Sequence, residues 1–202
     1  MRFSAVILAG GKSSRMGRDK AWLEIDRQSL LARQIQLVRE AGAQEVFISG
    51  RANADYAEFD CRVLRDRLVD AGPLGGIESA LAVASSSLLL VLAVDMPKMT
   101  SEFLRQLLSC CDEGVGVVPR VEGEMEPLVA FYPRAARGLI EELFSVQKQR
   151  GSVDEMAAVR IKSPSAKAFA EKCVVRGLAK FVDVAEREAQ LFANWNLPEQ
   201  VE

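Results

Sequence analysis

The chain has 202 residues, 49% hydrophobic and 27% charged, which is enough apolar material for one ordinary folded domain. Its net charge of −2 excludes a global basic field that would recruit nucleic acid or a membrane surface, so any anion binding has to come from a local patch. It contains no histidine, which excludes histidine triads, histidine metal sites and the commonest general base, and leaves carboxylates, lysine, arginine, backbone amides or a bound metal to do any chemistry.

Phe3 to Leu8 (FSAVIL) is a short apolar run ending at glycines and reads as a buried strand. The following stretch, LAGGKSSRMGRDK at 8–20, places Lys12, Arg15, Arg18 and Lys20 in one turn with the carboxylate of Asp19. It is not a P-loop. With Gly11-Lys12-Ser13 as the tail, the pattern G-x-x-x-x-G-K-[ST] needs glycine at position 6, which is Val6 inside the strand. Neither Gly10 nor Gly11 begins a G-x-G-x-x-G fingerprint. The ingredients for holding a polyphosphate are nevertheless present. Glycines after a strand let backbone N–H groups approach an anion, and Lys12, Arg15 and Lys20 supply charge. The alternative is a tight strand-to-helix turn with a solvated basic rim.

Ser29 caps a helix whose apolar residues are Leu30, Leu31, Ile35, Leu37, Val38 and Ala41, and Gly42 ends it. Glu45 to Ser49 is a second strand, and Arg62 to Arg65 is a short third followed directly by Asp66. Gly72-Pro73-Leu74-Gly75-Gly76 leads into a helix over Ile77 to Ala84; it either lays backbone against a flat ring or ribose, or is a plain turn. Leu88 to Val94 is apolar throughout, as expected of a central parallel strand covered on both faces, and Asp95 follows it. Thr100 caps a helix with Phe103, Leu104, Leu107, Leu108 and Cys111 on one stripe. Val115 to Glu122 and Met125 to Tyr132 flank Gly123-Glu124 as a hairpin or two neighbouring strands. A helix is expected over Ala135 to Phe144, and residues 150 to 185 carry no readable pattern.

The longest uncharged stretch, Ser79 to Val94, is 16 residues, short for a membrane span. The apolar start is too brief for a signal peptide and runs into a basic loop rather than a cleavage site, so a cytoplasmic location is expected. Cys61, Cys110, Cys111 and Cys173 match no zinc or redox spacing and read as reduced thiols.

Alternating strands and helices predict an α/β fold: one Rossmann-like domain over 1–202 with a mostly parallel central sheet and helices on both faces. The nucleotide-binding half is placed at about 1–100 and the acceptor-binding half at about 101–202. In an open α/β sheet, ligands sit outside the carboxyl ends of the strands. The basic loop, Ser49, Asp66 and Asp95 all fall at such ends, so phosphate-binding and metal-binding groups should converge in one crevice. A Mg²⁺ ion bridging Asp95 to phosphate oxygens would offset the cost of an unpaired carboxylate after an apolar strand. The alternative for Asp95 is a turn or capping role before Pro97.

Taken together, LAGGKSSRMGRDK, GPLGGI at 72–77, VDMP at 94–97, EPLVAFY at 126–132 and NWNLPE at 194–199 resemble the molybdenum cofactor guanylyltransferases. These belong to the wider nucleotidyltransferase superfamily, which includes sugar-phosphate enzymes of nucleotide-diphospho-sugar transferase-like fold. The resemblance implies Mg²⁺-dependent transfer of GMP from GTP to the phosphate of molybdopterin, releasing pyrophosphate, with molybdoenzyme-maturation proteins as further partners. Carried over by position, it implies that Leu8, Ala9, Gly10 and the adjoining Gly11 and Lys12 meet the nucleotide. It puts Lys20, with Arg15, at the phosphates, Asp66 near the guanosine and Asp95 on the metal. Gly72, Pro73, Leu74 and Gly75 join the nucleotide site. Cytidylyl relatives typically read L-A-A-G, so Gly10 points to guanine; Ser49 stands where relatives often carry asparagine. Glu126 and Pro127 would line the acceptor side, and Asn194 and Asn196 would read the pterin edge, whose donors and acceptors asparagine matches. The rivals are a cytidylyl or sugar-nucleotide transferase using the same crevice, and a nucleotide-holding maturation factor without turnover.

Overall fold

The computed structural model describes residues 1–10, 20–51, 54–65, 68, 71–151 and 163–194. The strands are β1 (Phe3–Leu8), β2 (Glu24–Ile25), β3 (Gln28–Ser29), β4 (Val46–Ser49), β5 (Arg62–Leu64), β6 (Leu88–Ala93), β7 (Gly116–Val121), β8 (Glu124–Met125), β9 (Val129–Pro133) and β10 (Ala179–Asp183). The helices are α1 (Leu30–Ala41), α2 (Pro73–Val83), α3 (Ser101–Ser109), α4 (Arg137–Gly151) and α5 (Ala166–Val175).

One sheet runs in the order β10-β7-β9-β6-β1-β4-β5, with β8 paired to β7. The ladders β6–β1, β1–β4, β4–β5 and β7–β10 are parallel, while β9 runs antiparallel to both β6 and β7. The expected mostly parallel α/β sheet is therefore present, with one qualification: β6 has a parallel neighbour on one side only. Side chains alternate across the sheet, as the two-residue period of a strand requires. Phe3, Ala5 and Ile7 of β1 join Leu88, Leu90 and Leu92 of β6 beneath α1 and α3. Val6, Leu8, Leu89 and Val91 join the opposite face, under α2, α4 and α5.

The capped helices form where their caps and stripes predict. Ser29 Oγ accepts from the Ala32 amide at 3.2 Å and Thr100 Oγ1 from the Phe103 amide at 3.2 Å, each satisfying an orphan donor of the first turn. Four differences stand out. The helix expected from Ile77 begins at Pro73, so the glycine-rich passage is its first turn; proline suits that position, and burial of Leu74, Gly75 and Gly76 outweighs glycine's poor propensity. The stretch Met125 to Tyr132 splits into β8 and β9. Its first part closes a two-residue hairpin through Glu122 (φ 51°) and Gly123 (φ 84°), and its second part crosses to pair with β6. The helix expected from Ala135 starts with a 3-10 turn over Arg134–Ala136. The unreadable stretch contains α5 and β10, joined through Gly177 (φ 69°).

All four cysteines are free, as expected. Burial pushes the thiols of Cys111 and Cys173 up to about 12, so both are uncharged at neutral pH. Among the described residues, no helix is long and apolar enough to cross a membrane.

Candidate active site

Strand order reverses between β1 and β6: β4 and β5 lie to one side and β9, β7 and β10 to the other. Such a reversal opens a crevice at the carboxyl ends of the strands. Leu8-Ala9-Gly10, Ser49-Gly50, Leu64-Arg65 and Val94-Asp95 all leave the sheet there.

Backbone hydrogen bonds fix these exits to one another. The Val94 amide donates to Leu8 O (3.2 Å) and the Ala93 amide to Leu128 O (2.9 Å). The amides of Ala9 and Gly10 both donate to Ser49 O, at 2.8 and 3.0 Å. Those two amides are thus committed to the protein rather than free to meet an anion. A Cβ added at Gly10 would lie 3.6–3.7 Å from the backbone of Gly50 and Ser49, an ordinary contact. Packing among the described residues therefore does not demand glycine at this position.

Gly76 is different. A Cβ there would run into Ser49 Oγ and lie 2.7 Å from Ser49 Cβ and 2.9 Å from Leu8 Cδ2. The first turn of α2 thus sits directly on the ends of β1 and β4, and Ser49, itself buried, faces that turn. Within the passage, Gly72 and Pro73 are exposed at the helix start, while the Leu74 side chain is in the core. Gly72 has φ 55°, a conformation glycine tolerates and other residues resist.

On the other side, Glu126-Pro127-Leu128 meets the end of β6 through the Leu128 carbonyl. Burial raises the half-buried Glu126 carboxyl above its usual range, with Lys167 pulling it down and Glu124 pushing it further up. The Pro127 carbonyl accepts from the Tyr132 hydroxyl at 3.0 Å. Tyr132 is fully enclosed and its burial holds the phenol in the neutral, donating form. Tyr132→Phe leaves that carbonyl without its partner, so a loss of about 1–3 kcal/mol is expected. Calorimetry of the variant checks this, and an unchanged melting temperature would contradict it.

Asp95 is half-buried just beyond the carboxyl end of β6. Among the described residues, no three histidine, cysteine, aspartate or glutamate side chains gather as a metal cluster. Magnesium needs none, since it is usually held by one or two carboxylates plus substrate phosphates, and Asp95 at this position fits that mode. Asn194 is exposed two residues beyond Phe192, whose ring meets Phe103 in the first turn of α3 edge-on at 5.4 Å. That contact carries the C-terminal stretch to the end of the sheet where α3 leaves the Asp95 turn. Gly11, Lys12, Arg15, Asp66 and Asn196 lie outside the described residues. Lys20 opens a 3-10 turn with Ala21, which is fully buried, and Trp22.

The structure adds contacts that the sequence did not single out. Trp22 stacks on Tyr56 with ring centroids 5.9 Å apart and planes inclined by 13°. Tyr56 covers Gly50, where any Cβ would overlap its ring, and its hydroxyl accepts from the Arg51 amide at 3.0 Å. The exit of β4 is thereby tied to the chain emerging from the basic stretch.

The family model described as the MobA-like NTP transferase domain matches residues 5–161. The chain belongs to that family. This MobA-like transferase is 35% identical to the probable molybdenum cofactor guanylyltransferase of Opitutus terrae, over 97% of this chain and 91% of the relative. It is 36% identical to the protein of the same name from Pelotomaculum thermopropionicum, over 73% of this chain and 72% of that one. Its fold is similar to that of molybdopterin-guanine dinucleotide biosynthesis protein A from Archaeoglobus fulgidus, with TM-score 0.67, 20% identity, and coverage of 97% and 93%.

Proposed function

We propose that this MobA-like transferase moves GMP from GTP to the phosphate of molybdopterin, releasing pyrophosphate and forming the guanine dinucleotide cofactor. The reading rests above all on the end of the sheet that Gly10 and Asp95 share, in a chain that one relative named probable molybdenum cofactor guanylyltransferase matches over 97% of its length. An oxygen of the acceptor phosphate attacks the α-phosphorus, the α–β bridging bond breaks, and its electron pair leaves on pyrophosphate. A phosphate monoester is largely ionised at neutral pH, so the protein need not remove a proton, which suits a chain without histidine.

The protein's task is then alignment and neutralisation of charge. Asp95 would hold Mg²⁺, which when bound neutralises the triphosphate and the departing pyrophosphate. Lys12, Arg15 and Lys20 would add cationic charge, and Asp66, Ser49 and the Gly72–Gly75 turn would border the nucleoside. Glu126, Pro127, Asn194 and Asn196 would border the pterin. The four free thiols suit a reducing compartment, and we place the protein in the cytoplasm.

Because the described residues leave room for a Cβ at Gly10, we take the ligand as the reason for glycine there. Gly10→Ala should therefore keep the melting temperature of the ligand-free protein while weakening stabilisation by GTP with Mg²⁺. The decisive assay incubates the protein with GTP, Mg²⁺ and molybdopterin and follows the dinucleotide product. Stabilisation and turnover with CTP in place of GTP would refute the guanine assignment.

A further inference from the structure

Gln34 occupies a core position on α1, one helical turn from Leu30 and Leu31, yet it is polar and only 2% exposed. Its Nε2 donates to the carbonyl oxygen of Met96 at 2.8 Å, reaching across 62 residues of sequence. Its Oε1 is buried without a hydrogen-bond partner.

Met96 directly follows Asp95. On the near side of Asp95, the Val94 amide is held by Leu8 O. On the far side, the Met96 carbonyl is held by Gln34 and by the Met99 amide at 3.2 Å. Gln34 therefore ties this turn by a long-range side-chain bond to a helix rather than to its own loop. Beyond it lies a groove of about 260 Å³ lined in part by Gln34, Pro97 and Met99.

As a contribution to folding, this arrangement is poor. One amide oxygen is desolvated with nothing in return, and an apolar residue of the same volume would avoid that cost. A half-satisfied amide in a core stripe is understandable if it serves geometry rather than stability. We propose that Gln34 is a positioning residue that holds the Asp95 turn in the orientation required for the metal-bound nucleotide. The inference rests on the functional reading above. Groups that orient a metal ligand typically influence metal affinity or activity by about 10–100-fold when removed.

The test is Gln34→Met, which conserves volume, compared with the unsubstituted protein by two measurements. In thermal-shift titrations with GTP, the Mg²⁺ concentration for half of the GTP-induced stabilisation should rise about tenfold, while the melting temperature without ligand stays the same or increases. In dinucleotide formation, kcat should fall about tenfold at low Mg²⁺ and recover partly at high Mg²⁺. An unchanged Mg²⁺ requirement would overturn the proposal. So would a ligand-free melting temperature that drops together with activity, because Gln34 would then be an ordinary core residue. If the unsubstituted protein shows no Mg²⁺-dependent stabilisation by GTP, there is nothing for Gln34 to orient and the inference falls. If that stabilisation is present but no dinucleotide forms, the guanylyl-transfer reading fails, and the thermal titration still decides the role of Gln34.

Discussion

Asp95→Ala is expected to lower turnover at least about a hundredfold, the scale on which a directly engaged electrostatic group matters in catalysis. The fold should survive. The backbone of Val94 and of Met96 and the Gln34 side chain already hold this turn from both sides. Pyrophosphate release measured alongside the melting temperature separates the two effects. A variant that folds and still releases pyrophosphate at the normal rate would remove Asp95 from the metal. Asp95→Asn is a useful companion: it retains size and hydrogen bonding, so a comparable loss would assign the effect to charge.

The largest structural effect is expected at Gly116, in a strand the sequence presents as unremarkable. A Cβ there would overlap the carbonyl oxygen of Phe131 and lie 2.7 Å from its carbon and 3.1 Å from Tyr132 Cα. These are backbone atoms of β9 and cannot move aside as the end of a flexible side chain would. Gly116→Ala should cost about 3 kcal/mol, the upper end of what overpacking a well-filled interior brings. For a chain of this size that lowers the melting temperature by roughly 6–12 °C. The damage should reach both neighbours of β7, since the Gly116 amide also donates to Leu178 O at 2.9 Å just before β10. Calorimetry showing less than a degree of change would mean that β7 and β9 can separate locally at little cost.

Sequence patterns revealed most where the physical signal is local. β6 is an uninterrupted apolar run and β1 is apolar apart from Ser4, because both their faces are covered, and α1 and α3 announce themselves through Ser29 and Thr100. Where long-range packing decides, the pattern was silent or misleading. Gly75 and Gly76 look like loop residues, yet both are helical, and at Gly76 the missing side chain lets α2 settle on Ser49 and Leu8. The insertion of β9 between β6 and β7 depends on pairings across some forty residues of chain, which no short window can contain. In β10, an edge strand, the half-exposed residues blur the two-residue alternation.

The candidate site divides in the same way. Asp95 and Gly10 were legible because each follows an apolar strand directly, and strand ends are where such sheets bind ligands. Gln34 was not singled out, although a polar residue in the stripe made by Leu30, Leu31, Ile35 and Val38 was a usable signal. Such a residue has to find a partner, and here the partner stands beside the aspartate. The stack of Trp22 on Tyr56 could not have been found this way, because its members are 34 positions apart and share no period.

The reversed strand β9 also limits how this molecule can move. It is stitched by main-chain bonds to β6 on one edge and to β7 on the other, so the parallel strands β6, β1, β4 and β5 and the pair β7 and β10 are a single plank. Many transferases bring their two reactants together by swinging one lobe over another. Among the described residues the sheet runs unbroken from β5 to β10, so adjustment to a ligand falls to side chains and surface segments rather than to a hinge within the sheet.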